Sequence, residues 1–334
     1  MKAQVLYKAD DVKNHPLQLQ DIDIPRPLQG EILIKINVCG VCRTDLHVVE
    51  GELSLTTLPL IPGHQVVGIV EECGPGVQDL QLGDRVGVGW LQATCGKCRF
   101  CLSDQNNLCE QATYTGWTTQ GGYAEYMIAQ SHFVYPIPEG YSDQEAAPLL
   151  CAGIIGYRSL KLMDIADWKG KRIGIYGFGA AGHIVIQLLR AWGAEVYVCT
   201  REKAHQELAQ ELGAVWTGSA TDNPPALLDG AVVYAPAGEI VPAALQALDR
   251  GGRLILAGIH MSPIPSFSYD LLYGEKMIKS VTNNTKEDGI EFLKEASRIG
   301  IKTHFKTFPL EDANKALCAL KNDYIKGAGV LMCG

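Results

Sequence analysis

The fold of this chain is constrained most by Gly177-Phe178-Gly179-Ala180-Ala181-Gly182, a G-x-G-x-x-G run. Arg172 to Tyr176 reads as a strand just before it, and Gly182 to Trp192 as an amphipathic helix that it opens. Glycines at that spacing let backbone N–H groups approach a pyrophosphate at a helix N-terminus. A strand that feeds a helix and then another strand implies a parallel sheet. The alternation continues with a strand over Glu195 to Cys199, a helix over Glu202 to Leu212 and a strand over Ala231 to Ala235. A helix over Glu239 to Leu248 and strands over Arg253 to Ile259 and Met277 to Val281 complete it.

Upstream of about residue 150 the pattern is different. Strands follow one another, broken by Gly and Pro. Ile32, Ile34, Ile36 and Val38 alternate with polar residues after Pro25, Pro27 and Gly30, which predicts a half-buried strand. Val66 to Cys73 is a second run, closed by the turn Gly74-Pro75-Gly76. Leu82 to Val86 reads as a turn entering a strand, and strands over Tyr123 to Ile128 and Phe133 to Ile137 follow. After Lys286, helices over Asp288 to Arg298 and Leu310 to Leu320 lead to a last strand, Val330 to Met332. With 334 residues, two domains are expected, in an α/β chain.

The chain carries a formal net charge of −8, which argues against nucleic acid as a partner, because phosphate neutralisation needs a basic surface. No stretch approaches the roughly 20 apolar residues that span a membrane, and the N-terminus lacks the apolar run of a signal peptide. A cytoplasmic protein is expected. A disulfide framework then poorly explains eleven cysteines, and metal binding explains them better. Cys39, Cys73, Cys199, Cys318 and Cys333 sit in apolar or strand-like settings and read as small buried hydrophobes.

Cys95, Cys98, Cys101 and Cys109 form C-x2-C-x2-C-x7-C. Four thiolates at this spacing close a tetrahedron around zinc, and a closed site has a structural role. An iron–sulfur cluster is the alternative. Cys42, His64 in Pro62-Gly63-His64-Gln65, and Cys151 in Cys151-Ala152-Gly153 are a second candidate set. Two thiolates and an imidazole leave a fourth position open, the arrangement of a catalytic zinc. Two zinc ions per chain are therefore expected.

An NAD site has Asp or Glu about 20 residues beyond the glycine loop, to bind the ribose 2′-OH. Here Thr200 stands at that place and Arg201 follows. No carboxylate repels a 2′-phosphate and a guanidinium is at hand to pair with one, so NADP(H) is expected over NAD(H). The alternative is that Arg201 is solvated and Glu202 reaches the ribose.

Taken together, Gly40-Val41-Cys42-Arg43-Thr44-Asp45-Leu46-His47, the Pro-Gly-His run, the four-cysteine lobe, Cys151-Ala152-Gly153 and the glycine loop resemble the zinc-dependent alcohol dehydrogenases of the medium-chain dehydrogenase/reductase superfamily. The likeness covers the whole chain. It implies a GroES-like, mainly-β catalytic domain from residues 1–150 and 287–334, with a Rossmann domain inserted over 151–286. It also implies roles. Cys42, His64 and Cys151 hold the catalytic zinc. Thr44 hydrogen-bonds the substrate oxygen, and His47 carries the proton onward. Asp45 orients the zinc-bound histidine. Arg43 pairs with the cofactor pyrophosphate. Zinc acts as a Lewis acid while hydride passes between a small alcohol or aldehyde and the nicotinamide. Leu53, Trp90 and Trp117 are the expected pocket walls. A homodimer or homotetramer is expected by analogy.

Two positions depart from the family. Gln65 stands where Glu is usual beside the zinc-binding histidine, which leaves the metal more electrophilic. Ala328 replaces an arginine that binds pyrophosphate in many relatives, with Lys326 nearby as a substitute. A polyol or amino-alcohol dehydrogenase on the same fold is one competing reading. An NADPH-binding sensor with a degraded metal site is another.

Overall fold

The computed structural model describes residues 1–220 and 222–334. The chain opens with the antiparallel pair β1 (Lys2–Leu6) and β2 (Leu17–Asp21). β3 (Glu31–Val41) runs into α1 (Arg43–Val49). Then come β4 (Gln65–Cys73), β5 (Arg85–Val88), β6 (Leu91–Ala93), β7 (Thr113–Tyr114), β8 (Tyr126–Gln130) and β9 (Val134–Pro136). α2 (Asp143–Ala146) and α3 (Ala152–Lys161) lead into β10 (Arg172–Tyr176), α4 (Ala180–Ala191), β11 (Glu195–Cys199), α5 (Lys203–Glu211) and β12 (Trp216–Gly218). β13 (Leu228–Val233), α6 (Ile240–Ala247), β14 (Leu248–Leu256) and β15 (Met277–Ser280) follow. The chain ends with α7 (Lys286–Ile299), β16 (Phe305–Pro309), α8 (Ala313–Lys321) and β17 (Ala328–Met332).

Two compact units form. One comprises Met1–Cys151, Asn284–Ser297 and Thr303–Gly334, and the other Ala152–Asn283 with Arg298–Lys302. The second unit is a six-stranded parallel sheet in the order β12-β11-β10-β13-β14-β15. Renumbered within the unit, that is the doubly wound order 3-2-1-4-5-6, the Rossmann arrangement. Its central strands are nearly continuous apolar runs because helices cover both faces. β10 and β11 lie at the residues expected from the sequence. β13 starts three residues before its expected start and ends at Val233, so Ala235 lies in the turn beyond it, close to Gly177.

The first unit is built on a seven-stranded sheet in the order β16-β17-β3-β4-β5-β9, with β8 also paired to β3. β3 was expected to be half buried, and that is corrected. Ile32, Ile34 and Ile36 are buried in one core cluster, and past a bulge between Ile36 and Val38 Cys39 and Val41 continue that face, but Leu33 and Val38 on the other face are buried too. β3 pairs with β17, β4 and β8 along its two edges, and α2, the 3-10 turn Ala147–Leu150 and α8 pack against it. The strand expected from Tyr123 begins only at Tyr126. Gly121, Gly122 and Tyr123 instead donate their N–H groups to Ile61, Gly63 and Pro62, which ties this stretch to the Pro-Gly-His run. β1, β2, α1, β6, β7, β12, β16 and the helical segment from α2 to α3 have no counterpart in the sequence reading. Of the five cysteines expected to be buried, Cys39, Cys199 and Cys333 are, while Cys73 and Cys318 are partly exposed. Among the described residues no helix is long and apolar enough to cross a membrane.

Candidate functional site

Cys42 lies between β3 and α1, at the mouth of a strand-to-helix turn. Its N–H donates to Asp45 Oδ2 at 2.8 Å, so the third residue of the helix caps the first turn. His64 immediately precedes β4 and is fully buried. The turn before it needs glycine: Gly63 has φ +98, and a Cβ there would lie 2.3 Å from the Tyr123 ring. Cys151 follows a single 3-10 turn, Ala147–Leu150, and precedes α3.

These separate segments bring three donor atoms together. Cys42 Sγ and Cys151 Sγ are 4.0 Å apart, and His64 Nε2 is 3.2 Å from Cys151 Sγ. All three donors lie within 4.8 Å of one another. A tetrahedral zinc with Zn–S near 2.3 Å needs edges of about 3.5–4 Å, so the donor set fits that ion. Three donors leave one vertex for a further ligand.

Asp45 is the hub of this centre. Its Oδ1 accepts from His64 Nδ1 at 2.7 Å, and its Oδ2 accepts from the Cys42 N–H and, at 3.2 Å, from the Tyr123 hydroxyl. A carboxylate on Nδ1 fixes the imidazole with Nε2 facing the donor set. Burial alone would lower the His64 pKa, but the Asp45 carboxylate and the Cys42 sulfur outweigh it and raise the value to about 10. The hydrogen bond shared by the Cys42 and Cys151 sulfurs holds Cys42 well below the usual thiol range, against burial, and pushes Cys151 up together with burial. Loading a cation must therefore expel protons from this cluster.

The other residues of α1 face their own partners. Thr44 Oγ1 lies 3.7 Å from Cys42 Sγ. His47 sits one helical turn on from Thr44, on the same face, and is buried. Its Nδ1 pairs with the Glu52 carboxylate. The helix end makes that possible. The Glu52 N–H returns to His47 O at 2.9 Å and the Gly51 N–H to Val48 O at 3.1 Å, a Schellman turn that folds the chain back over α1. Arg43 Nη2 donates to Asp323 Oδ1 at 2.6 Å.

Leu53, Trp90 and Trp117 fall into one apolar cluster with Val48, Leu60, Leu55 and Tyr114. The Trp90 ring meets His64 edge-on at 4.9 Å and stacks on Tyr114 at 5.3 Å and Trp117 at 5.7 Å. Gln65 is buried, and its amide packs against Gly40, where a Cβ would lie 3.0 Å from Nε2.

The four-cysteine lobe also converges. Cys95 and Cys101 sulfurs are 4.0 Å apart, those of Cys98 and Cys101 3.5 Å, and all four lie within 4.8 Å of one another. The backbone N–H of Cys95 points at Cys109 Sγ, and that of Cys98 at Cys95 Sγ. N–H groups of Lys97 and Cys98 hold the Cys95 thiol down at about 6. Four sulfurs at these separations fit zinc with no open vertex.

In the second unit, Gly177 follows β10 with φ +95, and a Cβ there would lie 2.9 Å from the Ala235 nitrogen. Gly179 precedes α4, and a Cβ on Gly182 would press on Gly177 O at 3.0 Å. Thr200 at the end of β11 is buried, its N–H bonded to Gly218 O at 2.8 Å, while Arg201 and Glu202 are exposed. In the first unit, Ala328 is buried at the start of β17 and Lys326 is exposed.

The sequence reading missed Tyr123, Glu52, Tyr114 and Asp323. Gly51 just past a short helix is the one local signal, and it points to Glu52 alone.

The alcohol dehydrogenase GroES-like domain family matches residues 28–139, and the zinc-binding dehydrogenase family matches residues 180–298. A probable alcohol dehydrogenase of Mycobacterium tuberculosis is 45% identical over 338 residues, spanning 99% of this chain and 97% of its own. An alcohol dehydrogenase of Geobacillus stearothermophilus is 37% identical over 326 residues, 95% of this chain and 96% of its own. Among solved structures, a cinnamyl alcohol dehydrogenase of Sorghum bicolor matches with a TM-score of 0.90 at 27% identity, over 99% of this chain and 97% of that one. With family matches in both halves and near-full-length relatives well above 30% identity, this chain belongs to the zinc-type alcohol dehydrogenases of the medium-chain dehydrogenase/reductase superfamily.

Proposed function

We propose that this protein is a zinc-dependent oxidoreductase that exchanges hydride between a primary or secondary alcohol, or the matching aldehyde or ketone, and NADP(H). Residues 1–150 and 287–334 form its catalytic domain and 151–286 its dinucleotide domain, and it works in the cytoplasm as a homodimer or homotetramer. The observation that supports the reading most is the convergence of Cys42, His64 and Cys151 beside a helix bearing both a hydroxyl and an imidazole. Those three residues would hold the catalytic ion, which when bound supplies a Lewis acid for the substrate oxygen. Cys95, Cys98, Cys101 and Cys109 would hold the structural one.

The chain's own residues then divide the work. The Thr44 hydroxyl bonds the substrate oxygen and hands on its proton. His47 carries that proton onward, its ring oriented by the Glu52 carboxylate on Nδ1. Asp45 keeps His64 in the ligating tautomer. Gly177, Gly179 and Gly182 open the backbone to the cofactor phosphates, with Arg43 as their cation. Leu53, Trp90, Trp117 and Tyr114 form an apolar, aromatic surface that favours apolar alcohols over polyols. Gln65 adds no charge beside the metal.

Zinc quantification alongside an alcohol and aldehyde panel with both cofactors tests this. Two zinc ions per chain and turnover of apolar alcohols are expected. One zinc per chain with no turnover of any alcohol would overturn the assignment in favour of a cofactor-binding sensor.

The cofactor choice has its own test. A charge-assisted bond from Arg201 to a 2′-phosphate is worth about 1.5–3 kcal/mol, so kcat/KM with NADP should exceed that with NAD by roughly tenfold or more. Arg201→Ala should erase that preference. A strong preference for NAD in the native protein would sink the choice.

A further inference from the structure

Arg43 and His47, both on α1, each meet a carboxylate delivered by the end of a helix. For His47 the turn uses a glycine at its left-handed position, Gly51 with φ +76. For Arg43 it does not. α8 also ends in a Schellman turn: the Asp323 N–H donates to Leu320 O at 3.2 Å and the Tyr324 N–H to Ala319 O at 2.9 Å. The left-handed residue there is Asp323 itself, φ +56, at a position where glycine is the usual occupant. A side chain is kept at a cost in backbone strain, and its carboxylate accepts from Arg43 at 2.6 Å.

That ion pair is not needed to dock α8 on α1. Lys321, in the last turn of α8, already bonds Glu50 at 2.6 Å and Asp11 at 3.2 Å, and Glu50 in turn accepts the Val12 N–H. The Arg43 and Asp323 side chains are 39% and 32% exposed, so the pair is solvated, shifts an equilibrium by at most about fivefold and exchanges easily. A phosphate oxygen and a carboxylate oxygen compete for the same guanidinium fork.

We propose that Asp323 is a resident counter-ion of the cofactor-phosphate site: it holds Arg43 in the free protein and competes with the incoming pyrophosphate, so that cofactor binds less tightly and leaves faster. This rests on the assignment of Arg43 to the pyrophosphate. The competition acts on the part common to both cofactors, so it weakens NADPH and NADH equally and leaves the preference between them to Arg201.

Equilibrium binding of NADPH and of NADH is measured by fluorescence for the native protein, Asp323→Asn, Asp323→Gly, Arg43→Gln and the Arg43→Gln/Asp323→Asn pair. Both Asp323 variants should bind both cofactors about twofold to fivefold tighter, and the gain should vanish in the Arg43→Gln background. Asp323→Gly separates charge from backbone: it should show the same gain with an unchanged or higher Tm. If both Asp323 variants bind cofactor no tighter than the native protein while Arg43→Gln still weakens binding, Asp323 only positions Arg43 and the proposal is overturned. If Arg43→Gln leaves both affinities unchanged, the Arg43 assignment falls and the proposal falls with it.

Discussion

Cys42→Ala should lower kcat/KM for alcohol oxidation by a thousandfold or more while the protein stays folded. The reasoning starts from the donor set. Cys42 Sγ is one of three donors that close within 4.8 Å, and no other cysteine is at hand to replace it, because Cys39 is turned to the Gly40 carbonyl. Two donors do not hold zinc firmly. A Lewis acid lost from the substrate oxygen costs several kcal/mol of barrier, and about 4 kcal/mol is a thousandfold. Folding is spared because Cys42 is a partly exposed residue at a helix start, and its N–H keeps its bond to Asp45. Three measurements check this: metal content should fall by one zinc per chain, cofactor binding should persist, and steady-state rates should collapse. A variant that loses that zinc yet turns over at the native rate would end the assignment of Cys42.

Asp45→Ala should be the most damaging change to stability near the site. Asp45 is buried, and it accepts from His64 Nδ1, from the Cys42 N–H and from the Tyr123 hydroxyl. Removing it orphans two buried donors and the part-buried Cys42 N–H; each buried one costs about 1–3 kcal/mol, although such costs do not simply add. Breaking a buried charged pair alone costs about 3–5 kcal/mol, and that is the loss expected in chemical denaturation. Zinc affinity should also fall by about 10- to 100-fold, since His64 loses the group that orients it. Asp45→Asn keeps the shape and one acceptor, so it should be intermediate on both scales. Competition with a chelator dye measures the second effect. Native zinc affinity in a destabilised Asp45→Ala protein would leave Asp45 a purely structural residue.

Much of this site was legible without coordinates, for a physical reason. The four-cysteine lobe is closed over a short stretch of chain, so its spacing alone reports its geometry. The same holds for the glycine loop: a left-handed Gly177 and a close helix packing at Gly182 are local backbone events. β10 and β11 were readable to the residue because buried parallel strands are unbroken apolar runs. β3 was misjudged because a bulge between Ile36 and Val38 breaks its alternation, and burial of its second face depends on distant helical segments that its own sequence does not encode.

The residues that escaped notice do so through distance. Tyr123 reaches Asp45 across 78 positions, and Asp323 reaches Arg43 across 280. Nothing near either pair predicts its partner, since a hydrogen bond depends on where two side chains end up. Glu52 is the intermediate case: Gly51 announces a helix end, but only the folded turn shows that its carboxylate covers His47.

By itself, then, the sequence determined the kinds of donor, the cysteine lobe, the phosphate loop and the parallel sheet around it. Each depends on side-chain chemistry or on backbone geometry within a few residues. Tertiary structure decided that Cys42, His64 and Cys151 meet, that one buried carboxylate serves three donors, and that Arg43 already has a counter-ion. Those outcomes depend on sheet register and burial, which bring distant segments together only when the whole chain has packed.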